Sequence, residues 1–258
     1  MDYQIKEENG FKYYEAGEGP VLLLLHGLFG ALSNFQQVID HFSPHMKVSI
    51  PLLPLFDLPV RETTVIGLKD YVTNFIQHKG YKDIVLLGNS LGGHVTLLYS
   101  VEEANQAGIK AIVLTGSSGL FENSLGDSYP RKGDYEYVKV KTEYTFYDPN
   151  TATKELVDEV FEIVNNREKV LRVVSLAKSA LRHNMRDDLE KLKMPVLLIW
   201  GKNDNITPAF VGEEFKKHLP HAELHLIDKC GHAAMMECPD EFNNILDNFL
   251  KHLNVSIA

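Results

Sequence analysis

Three side chains that could act together as a nucleophile, its base and an orienting acid lie far apart along this chain of 258 residues. Ser90 stands at the centre of a G-x-S-x-G pentapeptide, and Asp204 and His232 follow much later in the chain. A serine hydroxyl is a weak nucleophile near neutral pH, so it needs a base, and the base needs a carboxylate that orients it. These residue types predict acyl transfer through a covalent acyl-enzyme.

The surroundings of Ser90 favour a nucleophile over an ordinary Gly/Ser turn, which the pentapeptide alone would fit equally well. A buried strand predicted at 84–88 leads into the pentapeptide, and a helix follows it. Side chains at Gly88 and Gly92 would clash in so tight a turn, which explains the two glycines. The turn exposes the serine hydroxyl and places the Leu91 N–H at a helix N-terminus, where it can stabilise negative charge.

The candidate base and acid both follow predicted strands. Asp204 lies in a GKND loop after the strand at 196–200, and His232 lies in a CGH loop after the strand at 223–227. Parallel strands bring their carboxyl ends to one edge of a sheet, so both residues should lie near Ser90. Taken singly, Asp204 fits a turn aspartate, and most of the eleven histidines fit surface residues. The prediction therefore rests on the three residues together.

A second oxyanion donor is expected from the loop that follows the apolar strand at 21–25 and reads HGLFG. We favour the Leu28 N–H as the partner of the Leu91 N–H, with Phe29 as the runner-up. Each such donor contributes about 3 kcal/mol to transition-state stabilisation. His26 is interpreted as a structural residue that holds this loop.

The elements that must position these groups alternate between apolar strands and amphipathic helices, which predicts an α/β protein with a mostly parallel sheet flanked by helices. Asn9-Gly10 predicts an opening hairpin. Ser33 and Thr207 are predicted helix N-caps, with Pro208 as the first helical residue. Strands are predicted at 3–7, 11–15, 21–25, 48–50, 84–88, 111–114, 196–200 and 223–227, and the main helices at 33–42, 67–78, 91–102 and 242–253, with another opening at Thr207-Pro208.

Residues 119–191 interrupt this alternation because they contain no buried-strand pattern. We predict that they form a helical cap inserted into a core built from 1–118 and 192–258. Two amphipathic helices are expected in the cap, and the second begins near Asn165 with Glu168 as a capping-box partner. The buried faces are expected to be Leu156, Val157, Val160, Phe161 and Val164 in the first helix, and Val170, Leu171, Val174, Ala177 and Leu181 in the second.

The composition, with 44% hydrophobic and 24% charged residues, is typical of a soluble globular protein. The net charge of −9 argues against a nucleic-acid partner, and no apolar run is long enough to span a membrane. The N-terminus lacks the pattern of a secretory signal, and Cys230 and Cys238 are predicted to be reduced thiols, so we expect a cytoplasmic protein. A small-molecule substrate is the expected partner, and a homo-oligomer stays open.

Four motifs, HGLFG, GNSLGG, WGKND and CGHAAMMECPDEF, together resemble the α/β-hydrolase family in order and spacing. The resemblance covers nearly the whole chain and implies an eight-stranded sheet, a helical cap over the serine, and no cofactor or metal. Within the serine-bearing members, GNSLGG and WGKND look similar to carbon–carbon bond hydrolases that cleave 2-hydroxy-6-oxo-dienoates. Two features differ from those enzymes: Ala233 stands where they often carry tryptophan, and PLLPLFDLP replaces a frequent D-x-x-G-x-G-x-S loop.

Four aromatic residues and two arginines are candidates for substrate contact. The aromatic side chains either line an acyl or aromatic subsite or pack the cap itself. An arginine that faced inward would hold a substrate carboxylate bidentately, whereas the alternative is solvated surface. The candidates are Phe29, Tyr129, Tyr137, Phe146, Arg167 and Arg182.

These observations lead to one function and two alternatives. The leading hypothesis is a serine hydrolase that cleaves a small carboxylic ester. Carbon–carbon bond hydrolysis of a 2-hydroxy-6-oxo-dienoate is the alternative within the same fold. An alternative of another class is a ligand-binding sensor that keeps the three residues but turns over slowly.

Overall fold

The computed structural model describes residues 4–30, 32–121 and 132–255. Eight strands in these residues form one sheet, in the order β1-β2-β4-β3-β5-β6-β7-β8. The sheet is parallel from β4 to β8 along that order, and β1 and β2 pair antiparallel at one edge. The strands are β1 (Lys6–Glu8), β2 (Phe11–Ala16), β3 (Val21–Leu25), β4 (Lys47–Pro51), β5 (Ile84–Asn89), β6 (Ile109–Thr115), β7 (Val196–Gly201) and β8 (Glu223–Ile227).

Helices cover both faces of this sheet, which confirms the predicted α/β-hydrolase fold. Helices α2, α3 and α8 pack on one face, and α1 and α10 pack on the other. The described helices are α1 (Gln36–Phe42), α2 (Val65–Lys79), α3 (Leu91–Ser100), α4 (Glu103–Gln106), α5 (Tyr135–Glu143), α6 (Lys154–Asn165), α7 (Arg167–Arg182), α8 (Ala209–His218), α9 (Ala234–Glu237) and α10 (Pro239–His252).

The central strands are apolar on both faces, as strands buried between two helical layers should be. In β3, Leu22 and Leu24 belong to one apolar cluster, and Leu23 and Leu25 belong to the cluster on the opposite face. This alternation follows from the two-residue period of a strand. The four leucines are fully buried, so β3 and its neighbours form a rigid base for the loops at their carboxyl ends.

Two predicted helix starts are wrong. A 3₁₀ turn at Leu32–Phe35 precedes α1, which begins at Gln36 with no side-chain cap, so Ser33 does not cap it. Pro208 is the N-cap of α8 rather than its first residue, and Thr207 caps nothing there. At Thr207 a tertiary hydrogen bond replaces the cap, because its hydroxyl donates to Asp204 Oδ2 at 2.9 Å.

The segment between β6 and β7 is helical in its described part, which begins again at residue 132. It contains three helices rather than the two expected, because α5 has a polar, weakly amphipathic sequence. The start of α7 is one residue later than predicted: Asn166 is the N-cap, and its side chain accepts hydrogen bonds from the N–H groups of Glu168 and Lys169. Asn165 ends α6 instead.

The buried face predicted for α7 is wrong in phase. Leu171 and Leu181 are 52% and 61% exposed, and of the predicted set only Ala177 is buried. Small residues allow α7 to approach α2 closely, and the Ser179 hydroxyl accepts a hydrogen bond from Val65 N at 3.1 Å. The residues that α7 buries are Val173, Leu176, Ala177, Ser179 and Ala180.

In the part of the chain that the structure describes, no helix combines the length and apolar character needed to cross a membrane.

Candidate active site

Ser90 occupies a strained position between β5 and α3. Its φ of 54° and ψ of −119° lie in a region that residues other than glycine rarely adopt, at a cost of about 1–3 kcal/mol that the surroundings must offset. Hydrogen bonds hold the backbone in place: Ser90 N donates to Thr115 O at 3.1 Å, and Ser118 N and His94 N each donate to Ser90 O at 3.2 Å. The strain is concentrated at the residue predicted to be the nucleophile.

The glycines of the GNSLGG motif are required by close backbone approaches. A Cβ at Gly88 would lie 2.5 Å from Gly92 O, and one at Gly92 would lie 2.1 Å from Leu25 O. A Cβ at Gly93 would meet the Ser117 hydroxyl at 2.2 Å. Strand β5, helix α3 and the end of β3 therefore converge around the serine with no room for a methyl group.

Asp204 and His232 form a buried hydrogen-bonded pair. His232 Nδ1 lies 2.9 Å from Asp204 Oδ2, and the two side chains are 8% and 0% exposed. A carboxylate at Nδ1 keeps the imidazole proton on that nitrogen and leaves Nε2 as the basic atom. Asp204 lies three residues beyond Gly201, the end of β7, and His232 lies in the loop after β8.

The Asp204 carboxylate accepts three further hydrogen bonds. Ile206 N and Thr207 N donate to Oδ1 at 2.8 and 2.9 Å, and the Thr207 hydroxyl donates to Oδ2 at 2.9 Å. The same hydroxyl lies 3.2 Å from His232 Nδ1. Thr207, which the sequence suggested as a helix cap, therefore orients the acid.

His26 holds the loop after β3. Its Nε2 accepts a hydrogen bond from Leu53 N at 3.0 Å, so the proton is on Nδ1, which donates to Gly27 O at 2.9 Å. Burial lowers the pKa of this imidazole, and the Gly27 contact only partly opposes the shift. Gly30 N also donates to Gly27 O, at 3.1 Å. The neutral ring thus acts as a structural bridge between two loops.

The predicted oxyanion donors surround Ser90. Leu91 is the first residue of α3, directly after the serine. A Cβ added to Gly27 would lie 3.2 Å from Ser90 Cβ, so the loop backbone passes close to the nucleophile. Leu28 and Phe29 both line the cavity beside Ser90, and both N–H groups remain candidates for the second donor.

A cavity of about 530 Å³ opens between the sheet and the helical segment, and both Ser90 and His232 line it. No hydrogen bond joins these two side chains in the structure; such contacts often tighten only when substrate binds. Lys141 is the one lysine or arginine among the described residues of the wall. The surface of the wall is mainly apolar, and its aliphatic and phenyl side chains are those of Leu28, Phe29, Val138, Phe146, Leu156, Val160, Val164, Val173, Ile206 and Ala233.

The structure separates the predicted substrate contacts into two groups. Phe29, Tyr137 and Phe146 line the cavity. Arg167 and Arg182 do not; both lie exposed at the two ends of α7, outside its buried face. Of the two interpretations left open for these arginines, their positions fit solvated surface rather than contact with a substrate carboxylate. Tyr129 lies outside the described residues.

Three polar residues of the site, Asn89, Glu237 and Lys141, were not predicted from the sequence, and Thr207 was predicted in a different role. The Asn89 amide donates to Thr115 O at 3.1 Å and to His232 O at 3.4 Å, so it braces the elbow against the histidine loop. Glu237 accepts a hydrogen bond from the neighbouring Gly231 N at 2.9 Å. Lys141 lies on the cavity. Glu237 could have been found as a carboxylate five residues after His232 in an otherwise apolar stretch.

Both cysteines are free. Burial raises the pKa of the Cys230 thiol above its usual range, with smaller contributions from Cys238 and the nearby acids. A protonated thiol is a poor nucleophile, so Ser90 is the better candidate in this part of the fold.

Residues 22–245 match the model of the Alpha/beta hydrolase family. The chain is 29% identical to a 2-hydroxy-6-oxononadienedioate/2-hydroxy-6-oxononatrienedioate hydrolase of Pseudomonas sp., over 92% of this chain and 90% of that protein. It is 24% identical to a 2-hydroxy-6-oxo-6-phenylhexa-2,4-dienoate hydrolase of Comamonas testosteroni, over 93% of this chain and 90% of the relative.

A solved structure also resembles the chain over nearly its full length. An alpha/beta hydrolase enzyme from a sediment metagenome of the Mar Chica lagoon in Morocco is 44% identical, with a TM-score of 0.80, and the match covers 96% of this chain and 98% of that one. A bacterial membrane phospholipase A, 21% identical with a TM-score of 0.85 over 99% of this chain and 87% of its own, shares the fold.

Proposed function

Because the chain belongs to the alpha/beta hydrolase family, we propose that this hydrolase cleaves a small carboxylic ester with an apolar acyl group. One observation carries the proposal: the strained Ser90 and His232, which is paired with the buried Asp204, line one cavity with a mostly apolar wall. Such a cavity suits a neutral acyl chain next to a reacting carbonyl.

In the proposed mechanism, His232 Nε2 takes the proton of the Ser90 hydroxyl as the oxygen attacks the ester carbonyl. Asp204 stabilises the imidazolium that forms. The N–H of Leu91 and that of Leu28 or Phe29 hold the oxyanion. The imidazolium then gives its proton to the departing alkoxide. A water molecule, deprotonated by His232, attacks the acyl-enzyme; the imidazolium then returns that proton to the Ser90 oxygen as the carboxylic acid leaves.

The charge of the cavity supports a neutral substrate. The dienedioates named for the Pseudomonas relative carry two carboxylates, whereas Lys141 is the one lysine or arginine on the described cavity wall. A carboxylate left unpaired in an apolar cavity is strongly disfavoured. At least one of the two carboxylates would therefore lack a cationic partner here, while a neutral ester needs none.

Carbon–carbon bond hydrolysis of a 2-hydroxy-6-oxo-dienoate is the second candidate, because relatives that cover most of the chain carry that activity in their names. A dienoate substrate with a single carboxylate would have Lys141 as the partner of that charge. The two candidates separate in parallel assays with p-nitrophenyl butyrate and with 2-hydroxy-6-oxo-6-phenylhexa-2,4-dienoate. A kcat/KM for the acid that far exceeds the value for the ester would overturn our ranking.

The nucleophile is tested by labelling with a fluorophosphonate followed by peptide mass spectrometry. We expect one modification, at Ser90, that disappears in Ser90→Ala and in His232→Ala but persists in His225→Ala, which changes a partly exposed histidine of β8. Labelling elsewhere, or unchanged labelling in His232→Ala, would contradict the mechanism. Several turnovers per protein in the ester assay separate an enzyme from a slow-turnover sensor.

A further inference from the structure

Glu237 joins the loop of His232 to a segment about ninety residues before Glu237 in the chain. Its Oε1 accepts a hydrogen bond from Gly231 N at 2.9 Å, in the loop that carries His232. Its Oε2 accepts from Tyr147 N at 2.7 Å and from Asp148 N at 3.3 Å. Tyr147 and Asp148 belong to residues 144–148, which follow α5 and are called here the post-α5 segment. One half-buried carboxylate thus holds the histidine loop against the helical segment.

Two further hydrogen bonds connect the post-α5 segment to the site. His232 N donates to Thr145 O at 2.9 Å. The amide of Asn205, next to Asp204, donates to Tyr144 O at 3.3 Å. The segment therefore contacts both the loop of the base and the loop of the acid, and Glu237 contributes the charged part of this connection.

The packing around Gly231 leaves the histidine loop little freedom. A Cβ on Gly231 would lie 2.7 Å from Tyr147 N and 2.8 Å from Thr145 O. On the other side, a Cβ on Gly201, at the end of β7, would lie 2.1 Å from Gly231 O. The loop backbone is enclosed between the sheet and the post-α5 segment, and Glu237 bonds to both the loop and that segment.

We infer that Glu237 is a positioning residue, which fixes the histidine loop to the post-α5 segment and thereby holds the imidazole against Asp204 and toward Ser90. The inference rests on the proposed function and adds to it a link between the base and the post-α5 segment. Helix α5 supplies Tyr137, Lys141 and other parts of the cavity wall, so contacts of a substrate with α5 reach the base through the same carboxylate.

The chemistry of the contact explains why a carboxylate is needed. Three backbone N–H groups donate to two oxygens, and a carboxylate offers acceptors on both sides. A glutamine at position 237 can accept on one side only, because its NH₂ group would face an N–H group on the other. Alanine would satisfy neither side.

The test compares Glu237→Ala and Glu237→Gln with Glu241→Gln, which removes an exposed carboxylate from the first turn of α10. We expect Glu237→Ala to lower kcat for p-nitrophenyl butyrate about 100-fold, the scale of a displacement of the base by about 1 Å. KM should change less than about threefold, and Glu237→Gln should lie between Glu237→Ala and the unchanged Glu241→Gln. Hydrogen exchange should speed up at 145–148 and 229–233 in Glu237→Ala, with the sheet unaffected.

The outcomes distinguish this inference from the proposed function. Fluorophosphonate labelling of Ser90 does not depend on the natural substrate, and its rate should fall in parallel with kcat. If the unaltered protein labels at Ser90 and Glu237→Ala labels equally fast, the inference is wrong while the function stands. A rise in KM at constant kcat, or equal loss of activity and of folded protein in both Glu237 variants, also overturns the inference. If the unaltered protein does not label, both fail.

Discussion

Replacing Gly92 with alanine is expected to inactivate the protein while leaving most of its fold. The added methyl carbon would lie 2.1 Å from Leu25 O and 2.8 Å from His26 O. Both neighbours are backbone atoms at the end of β3, so rotation of a side chain cannot relieve the contact. Helix α3 and the loop after β3 must move apart instead.

The size of that movement follows from the distances. Van der Waals contact between carbon and oxygen starts at about 3.4 Å, so the backbone of α3 and that at the end of β3 must separate by roughly 1.3 Å. Overpacking of this kind costs about 1–3 kcal/mol of stability. The displaced atoms include the Leu91 N–H on one side and the loop with Leu28 and Phe29 on the other. A displacement of about 1 Å can cost 100-fold in rate, so kcat should fall at least about 100-fold.

The assay is ester hydrolysis together with thermal unfolding and fluorophosphonate labelling. Gly108→Ala is the matched control, because a Cβ there would have its nearest contact at 3.6 Å, to Asn105 O, and it should leave kcat unchanged. If Gly92→Ala keeps the kcat of the unaltered protein at a similar melting temperature, the backbone around Ser90 is not a rigid frame for the oxyanion.

Three other predictions concern the acid, a buried histidine and the cavity lysine. Asp204→Asn should lower kcat for the ester about 10³- to 10⁴-fold with little change in KM, because the amide favours the wrong imidazole tautomer of His232; a loss under tenfold in steady-state kinetics would contradict this role. Burial lowers the pKa of His94 to about 4. Between about pH 6.5 and pH 4 the imidazole is therefore protonated in the unfolded chain but neutral in the native protein. The free energy of unfolding should fall by about 3 kcal/mol from this group as the pH drops through that window. Urea unfolding at several pH values should show a smaller loss over that window in His94→Gln, and an identical loss would refute the assignment. Lys141→Met should change kcat/KM for p-nitrophenyl butyrate less than about threefold, and a large loss on this neutral ester would show that the lysine acts in the chemistry.

The strands and the serine turn were predictable because short-range constraints dominate there. Runs such as 21–25 and 84–88 are apolar at every position, which only a strand between two helical layers requires. Glycines on both sides of Ser90 indicate the tight turn directly. The loops of Asp204 and His232 follow strands, so the sheet itself brings them to one edge.

The helical segment was less predictable because its contacts are long-range. The leucines of α7 suggested one buried face, yet its small residues pack on α2 and leave Leu171 and Leu181 exposed. The bonds of Thr207 with Asp204, and of Glu237 with backbone groups near residue 147, depend on which loops the fold brings together. No local pattern encodes such partners. For the same reason, the sequence of α7 could not show whether Arg167 and Arg182 face the cavity or the solvent.

The helical segment leaves the sheet at the end of β6 and returns at the start of β7, which are neighbouring strands. Exchange of this segment for a related one is expected to alter selectivity without changing strand register. The post-α5 segment limits that exchange, since a transplanted insertion must also present a carbonyl to His232 N and two amides to Glu237. Grafts that ignore this small set of backbone groups should fold with a new cavity but a misaligned base, so selectivity and turnover would have to be engineered together.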